Sequence, residues 1–369
     1  MVSSLPLLLL LAAAVLLHMP NSSVQAAEEE LTRIRLGLEW FLNADHLPLV
    51  IALREGYFRE AGLDVVIVEP SDHWEAEQEI IAGRLDVAVT ETLHLARDAS
   101  AGKPVLGFGR FLHTDGGVMY LESSGIRRPR DMCGANITYP GSPGPGGPAI
   151  VQTMVEADGG TCDTSSYGRY NGGFYHTRSL ESGDADVATL VFYNFEVVEA
   201  NIRGLRANFF SLKDWGVPDF CQLVLFSTPE RVGELGPELR RLVLAVRRAT
   251  GLIHRDPKRA RSIFAEYVRE KARQPPLPPH LPSAGGGIGA RLRRAAAAVG
   301  PLAALRRFRS ARIADATMTA TLPAFPNDNS ISSDYFDGLM RWLVKTGQVD
   351  EVAAQGTPPS VYWTNDLAL

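Results

Sequence analysis

One six-residue pattern occurs twice in the chain, 100 positions apart, and it limits the possible folds more than any other feature. Residues 83–88 read GRLDVA, and residues 183–188 read GDADVA. In each copy a predicted helix ends at the glycine, a short Asp-Val-Ala strand follows, and a polar or aromatic loop leads into another helix. Chance recurrence is the alternative, but the matching flanks favour a duplicated α/β unit. Two lobes whose equivalent strand ends face each other are therefore predicted.

The stretch 36–70 is predicted to form a strand, a loop, a helix and a second strand. Apolar residues alternate around Leu36 as in a half-buried strand, and a helix is expected from about Pro48. The loop between them carries Trp40, Asn43 and His46. Because open α/β sheets bind small ligands at the carboxyl ends of their strands, these three are candidate ligand-binding residues. The alternative is that they only pack against the end of the helix.

This stretch also resembles one protein family. Residues 40–46 fit Trp-x-x-Asn-x-x-His, and residues 52–65 fit Ala-x-x-x-Gly-Tyr-Phe-x-x-x-Gly-Leu-Asp-Val. The pattern is similar to the opening of a family that contains the periplasmic solute-binding proteins for thiamine-pyrimidine precursors and the fungal thiamine pyrimidine synthases. Binders of taurine, sulfonates and nitrate are more distant members. The resemblance extends over about 33–267 and 322–349.

The resemblance implies a mixed α/β fold of the periplasmic-binding-protein type II, with two α/β lobes around a ligand cleft. We expect residues 27–120 to form the first part of lobe 1 and residues 121–225 to form lobe 2. Residues 226–369 then return to lobe 1 and add the C-terminal helices. Within this last part, residues 273–312 are rich in Pro, Gly, Ala and Arg and contain no acidic residue. Such composition predicts a disordered or loosely helical insertion.

The predicted second lobe supplies further candidate ligand-binding residues. A Gly- and Pro-rich loop with Gly144, Gly146 and Gly147 precedes a helix and would present backbone N–H groups to a ligand substituent. A rigid turn without a ligand is the equal alternative.

At the second strand end, the segment FYNFE at 192–196 resembles the corresponding segment of the pyrimidine-precursor binders. The resemblance implies that Trp40 stacks on one face of a planar ring and that Phe192 or Tyr193 covers the other. Asn43, His94 and Glu196 would contact the polar edge of the ring, with Asn194 beside them. For Glu196, a purely structural role in the first turn of a helix is the alternative.

The same resemblance would also allow an enzyme, but the sequence differs from that of the synthases at two functional positions. The synthases hold pyridoxal phosphate on a lysine, whose position corresponds here to Thr90, and threonine cannot form a Schiff base. Their cysteine-rich stretch corresponds to 217–221, where only Cys221 remains. His94 matches the position of the histidine that the synthases consume. We therefore expect a binding protein without catalytic residues, cofactor or metal, and the synthase remains the alternative.

Met1–Ala26 has the anatomy of a cleavable signal peptide, with an apolar run at 7–17 and small residues before Ala26. No Lys or Arg precedes the run, and an uncleaved anchor is the alternative. An exported protein is therefore expected. Of the three cysteines, Cys133 and Cys162 are the more favoured pair, which leaves Cys221 as a free thiol.

The chain has a net charge of −5 and a pI near 5.9, which gives no reason to expect nucleic acid as a partner. The expected partner is a small heteroaromatic ligand, together with an ABC-type membrane permease. A thiamine pyrimidine precursor of the hydroxymethylpyrimidine or formylaminopyrimidine type is favoured. An alkanesulfonate or riboflavin is the further alternative.

Overall fold

The computed structural model describes residues 31–70, 74–139, 145–271, 273 and 301–368, and for 301–310 it describes the backbone alone. Ten strands lie in these ranges. They are β1 (Thr32–Gly37), β2 (Leu63–Val68), β3 (Val87–Glu91), β4 (Leu106–His113), β5 (Gly116–Leu121), β6 (Asn136–Thr138), β7 (Gly168–Tyr170), β8 (Val187–Phe192), β9 (Ala207–Ser211) and β10 (Gln222–Ser227).

The α-helices of the described ranges connect and cover the strands. They are α1 (Leu47–Arg54), α2 (Tyr57–Glu60), α3 (Ala76–Ile81), α4 (Thr92–Ser100), α5 (Gly146–Ala157), α6 (His176–Ser182), α7 (Val198–Ile202), α8 (Pro229–Arg255), α9 (Pro257–Lys271), α10 (Pro301–Thr321), α11 (Ser333–Lys345), α12 (Glu351–Gln355) and α13 (Pro359–Tyr362). A short 3-10 helix at Ala44–His46 and a π-helical turn at Tyr193–Val197 follow β1 and β8.

The strands form two five-stranded sheets with the same connectivity. The first has the order β2-β1-β3-β10-β4, and the second has the order β7-β6-β8-β5-β9. In each sheet the first three strands are parallel, the fourth pairs antiparallel with the third, and the fifth pairs antiparallel with the fourth. We refer to each sheet with its helices as the first and the second lobe. The duplication predicted from the repeated pattern is confirmed.

The repeated aspartates do the same structural work in both lobes. The Asp86 carboxylate accepts a hydrogen bond from the Arg35 backbone N–H at 2.8 Å, and Asp186 does so from the Asn136 N–H at 2.8 Å. The backbone N–H of each aspartate donates in return to the carbonyl of the same neighbour. Each aspartate therefore fixes the register between two parallel strands, β1 with β3 and β6 with β8.

Two strands lie in different lobes from those expected. Gly116–Leu121, expected at the end of the first lobe, pairs with β8 and β9 in the second sheet. Gln222–Ser227, expected largely in the second lobe, pairs with β3 and β4 in the first. Both strands are apolar and almost wholly buried, so their sequences do not reveal which sheet they join.

The C-terminal part also departs from expectation in one segment. The helix α10 begins at Pro301, inside the expected insertion 273–312, because Ala, Leu and Arg are strong helix formers. Most of the remaining insertion lies outside the described residues. Further along, α11 follows Ser332, whose hydroxyl caps this helix by accepting from the Tyr335 N–H at 3.3 Å.

The predicted cysteine pairing is confirmed: Cys133 and Cys162 form a disulfide within the second lobe, and Cys221 is a buried free thiol. None of the helices in the described ranges is both long enough and apolar enough to cross a membrane.

The duplicated aspartates provide a matched stability test. The Asp86 side chain is 3% exposed and forms a two-bond pair with Arg35, with Arg231 as a second partner, whereas Asp186 is exposed. We expect Asp86→Asn to lower the free energy of unfolding by about 2–4 kcal/mol, since two arginines lose their buried counter-charge. Asp186→Asn should cost about 1 kcal/mol or less. Urea denaturation followed by tryptophan fluorescence measures both losses, and equal losses would contradict the assigned role of Asp86.

Candidate functional site

A cavity of about 260 Å³ lies between the lobes, at the carboxyl ends of β1, β3, β6 and β8. Its walls combine two kinds of side chain. The aromatic residues of the wall are Trp40, Trp74, Tyr139, Phe192, Phe195 and Phe226. The charged or ionisable ones are Glu39, Asp45, Glu75, Glu77, Glu91, Asp98, Glu196, His94, Arg97 and Lys103. The cavity therefore offers flat apolar surfaces together with an excess of carboxylates.

Five residues chosen from the sequence line this one cavity: Trp40, Asn43, His94, Phe192 and Glu196. The first three belong to the first lobe and the last two to the second. They come together because the carboxyl ends of the parallel strands in both lobes face the same space.

Two other chosen residues are buried away from the cavity wall. His46 is fully buried, with its Nε2 3.0 Å from Glu39 and its Nδ1 accepting from the Asn43 N–H at 3.2 Å. Asn194 is buried between the lobes, where its amide donates to Asp45 at 2.5 Å and to the Thr321 hydroxyl at 2.7 Å. Both side chains stabilise the walls of the cleft from behind.

Tyr193 and the glycines also differ from expectation. The Tyr193 ring is 48% exposed and packs edge-on against Phe209 on another face of the molecule. The π-helical turn that follows β8 directs Phe195 into the cavity in its place. Gly146 and Gly147 open α5 but do not line the cavity; added Cβ atoms would come within 3.0 Å and 3.1 Å of Tyr139 and Ile137, so close packing explains them. Gly144 lies outside the described residues.

Trp40 joins the two lobes at one side of the cavity. Its ring lies 4.3 Å from that of Phe174 and 5.7 Å from that of His176, both from the second lobe. Next to it, the ring of Phe41 lies 5.8 Å from that of Phe195. The buried indole Nε1–H of Trp40 has no hydrogen-bond partner within the described part of the chain. The indole ring of Trp40 lines the cavity, while its N–H is buried.

His94 forms a second link between the lobes. Its Nδ1 lies 2.7 Å from Glu91, and its Nε2 lies 3.0 Å from the Tyr139 hydroxyl in the second lobe. Both ring nitrogens are therefore engaged by protein groups that themselves line the cavity. Burial raises the pKa of Tyr139, so its hydroxyl keeps its proton. The imidazole contributes to the wall of the cleft, and its polar atoms hold the lobes together.

Glu196 has a role in the structure as well as a place in the wall. One carboxylate oxygen accepts from the Phe192 N–H at 2.9 Å, and the other lies 3.3 Å from Nδ1 of the fully buried His176. These contacts fix the direction of the carboxylate. Each oxygen retains further acceptor capacity toward the cavity, since an ionised carboxylate has about four lone-pair sites.

Asp45 is the most unusual acid of the cavity. Only 4% of the residue is exposed. Burial raises the pKa of its carboxyl to about 7, and the charges of Glu196 and Glu39 add to the rise, against the opposing effects of His46 and the Asn194 amide. Near neutral pH this carboxyl is therefore close to its titration midpoint.

The residues that could hold a cofactor or a metal do not fit one. Thr90 lines the cavity at the position that corresponds to the Schiff-base lysine of the synthases. The described wall does contain one amine, that of Lys103, which contacts Glu75, Glu77 and Asp98. Burial lowers the pKa of Lys103, but these acids outweigh it and raise the pKa, so the amine stays protonated and is a poor nucleophile. Within the described ranges, no group of three or more His, Cys, Asp and Glu could hold a metal ion.

Sequence reasoning did not select several wall residues that the strand-end rule would have found. Glu39 follows β1, Glu91 ends β3, and Tyr139 follows β6. Each therefore occupies the carboxyl end of a parallel strand, where ligand-binding residues of such sheets concentrate. Asp45 carries no comparable signal, because its position depends on the 3-10 helix after β1.

The raised pKa of Asp45 predicts a pH-dependent stability. An aspartate in the unfolded chain has a pKa of about 3.9. The folded protein therefore holds a proton that the unfolded chain has lost, and stability falls as the pH rises toward and through about 7. We expect Asp45→Asn to gain about 2–3 kcal/mol relative to the parent protein between about pH 5 and about pH 8. Denaturation at both pH values measures this gain. Asp64→Asn, at an exposed carboxylate, serves as control, and a pH-independent difference for Asp45→Asn would refute the assignment.

One known protein family matches more than half of this chain. A family model described as NMT1/THI5 like matches residues 43–260. The formylaminopyrimidine-binding protein of Halalkalibacterium halodurans is 31% identical over 237 residues, covering 64% of this chain and 71% of that protein. The 4-amino-5-hydroxymethyl-2-methylpyrimidine phosphate synthase of Aspergillus parasiticus is 27% identical over 246 residues, covering 63% of this chain and 69% of that protein.

Solved structures share the fold at lower identity. The alkanesulfonate-binding protein SsuA of Xanthomonas axonopodis pv. citri, bound to MOPS, has a TM-score of 0.62 at 13% identity and covers 90% of this chain and 99% of its own. A protein of Bordetella bronchiseptica RB50 has a TM-score of 0.64 at 19% identity, covering 92% and 96%. The expected periplasmic-binding-protein-like fold is thus confirmed, and the chain belongs to the NMT1/THI5-like family.

Proposed function

We propose that this protein binds a thiamine pyrimidine precursor of the hydroxymethylpyrimidine or formylaminopyrimidine type and does not transform it. The observation that carries the proposal is the composition of the cleft, in which aromatic rings and carboxylates from both lobes line one cavity. Aminopyrimidines are flat and present N–H donors along one edge. Rings that stack and carboxylates that accept hydrogen bonds are the complementary groups. The relative from Halalkalibacterium halodurans is named for a ligand of this class.

In this proposal the ring of the ligand lies between Trp40 from the first lobe and Phe192 or Phe195 from the second. Glu196 and Asn43 accept or donate along its polar edge. His94 contributes surface only, because both of its nitrogens are bound by Glu91 and Tyr139. The proposed ligand contacts do not include Tyr193, Asn194 or His46.

The cavity favours this ligand class over the two other solutes considered. Its described wall contains seven carboxylates and two permanently cationic side chains, Arg97 and Lys103, and Lys103 is already paired with three of the acids. Such a wall repels sulfonate and nitrate. Its volume of about 260 Å³ lies at or below the small end of ligand pockets, roughly 300–1,000 Å³, which favours a single ring over the three fused rings of riboflavin.

The exported location expected from the sequence supports a role in solute uptake. A disulfide such as Cys133–Cys162 persists in oxidising compartments and is rare in the cytosol. Related folds among solved structures include periplasmic binding proteins. We therefore propose that the mature protein acts outside the cytoplasm, after cleavage near Ala26, and delivers its ligand to an ABC-type permease.

Glu196→Gln tests the proposed ligand contact. The glutamine keeps the size of the side chain and can still accept from the Phe192 N–H, but it removes the charge. Because hydrogen bonds to charged groups contribute about 1.5–3 kcal/mol, we expect binding of an aminopyrimidine to weaken at least about tenfold. Isothermal titration calorimetry measures the affinity. Glu199→Gln is the matched control, since Glu199 contacts Arg203 and Thr177 and does not line the cavity. An unchanged affinity in Glu196→Gln would rule out this contact.

The alternative function as a synthase requires an imine with pyridoxal phosphate. We expect the parent protein to form no such imine in the cleft, because Thr90 has no amine and the amine of Lys103 stays protonated. Absorbance spectroscopy, followed by borohydride reduction and peptide mapping, would detect and locate an adduct. Thr90→Lys serves as a positive control that places an amine at the corresponding position. An adduct on Lys103 in the parent protein would contradict the binding-only proposal.

A further inference from the structure

We propose that the cleft prefers a pyrimidine that carries a protonated primary amine over its neutral analogues, and that it rejects the phosphate ester. This inference rests on the proposed function and specifies the charge of the ligand. The selecting group is a set of three carboxylates at the strand ends, Glu39 and Asp45 of the first lobe and Glu196 of the second, which we call the acidic triplet.

The acidic triplet is largely withdrawn from solvent. Asp45 is 4% exposed and Glu196 is 7% exposed, and the Glu39 side chain is 13% exposed. In such surroundings charges are weakly screened, so a like-charged ligand is strongly disfavoured and an ammonium group is favoured. The three acids lie near enough for the charges of Glu39 and Glu196 both to disfavour ionisation of Asp45. A cationic ligand would relieve this repulsion.

The protein itself leaves the acidic triplet without a permanent counter-ion. Glu39 pairs with His46, Glu196 pairs with His176, and Asp45 accepts from the amide of Asn194. Throughout the described ranges, no Lys or Arg forms an ion pair with any of the three. Buried carboxylates are usually paired with cations. Burial lowers the pKa of His46, but Glu39 and Asp45 outweigh it and raise the pKa, so this imidazole is the counter-charge that the protein supplies. One imidazolium does not balance three acids, and a cationic ligand would offset the remaining negative charge.

Neither cation of the described wall, Arg97 or Lys103, forms an ion pair with the acidic triplet. Lys103 lies 2.6 Å from Glu77 and 3.1 Å from Asp98 and also contacts Glu75. Arg97 interacts with the Tyr139 hydroxyl. The rings of Trp40 and Phe192 beside the triplet add surfaces that attract a cation through their π-electrons.

Calorimetry at constant ionic strength on the mature protein tests the ranking. The probes share a 4-amino-2-methylpyrimidine ring and differ at position 5: aminomethyl, formamidomethyl, hydroxymethyl and the phosphate ester of the last. We expect the aminomethyl compound to bind at least about tenfold more tightly than the two neutral compounds, and the phosphate ester at least about tenfold more weakly than those. Equal affinities, or tightest binding of a neutral or anionic member, would overturn the inference while leaving the proposed function intact. If no member binds, the proposed function itself fails.

Two substitutions test whether the acidic triplet sets the ranking. In Asp45→Asn the new amide oxygen can still accept from Asn194, and Glu39→Gln is a second variant in case the first does not fold. We expect either change to reduce the affinity ratio of the aminomethyl to the hydroxymethyl compound to below about threefold. Asp64→Asn removes an exposed carboxylate on β2 and should leave this ratio unchanged. A ratio that survives both triplet substitutions would overturn the assignment.

Discussion

The buried carboxylate of Asp86, with its exposed counterpart Asp186, fixes the geometry on which the cleft depends. Each aspartate ties the strand it begins to the neighbouring parallel strand through backbone hydrogen bonds in both directions. As a result, β1 and β3 are held in register in the first lobe, and β6 and β8 in the second. Every wall residue that follows these strands is placed by this alignment.

Much of this arrangement could be predicted from the sequence, because it depends on short-range patterns. The repeated Gly-x-x-Asp-Val-Ala string indicated two related lobes, and the strand-end rule brought Trp40 and Glu196 to one cavity. The sheets to which β5 and β10 belong could not be predicted, because both strands are mostly apolar and almost wholly buried, and such a pattern does not indicate the neighbouring strands.

The side chains that were misplaced share a physical cause. Beyond a strand end, orientation depends on the turn that follows, and in the second lobe this is a π-helical turn. It directs Phe195 and Glu196 into the cleft, Tyr193 outward, and Asn194 into the contact between the lobes. In the first lobe, His46 is withdrawn because it closes the 3-10 helix by accepting from the Asn43 N–H. Sequence spacing alone does not specify such turns.

The contacts that cross the cleft have a consequence for the energetics of loading. The lobes already meet through Asn194 and Asp45, through His94 and Tyr139, and through the rings of Trp40 and Phe174. Closure is then supported by the polypeptide before any guest arrives. When a ligand binds to a protein whose lobes are already held together, little of the binding free energy is needed to bring the lobes together. The affinity is correspondingly higher.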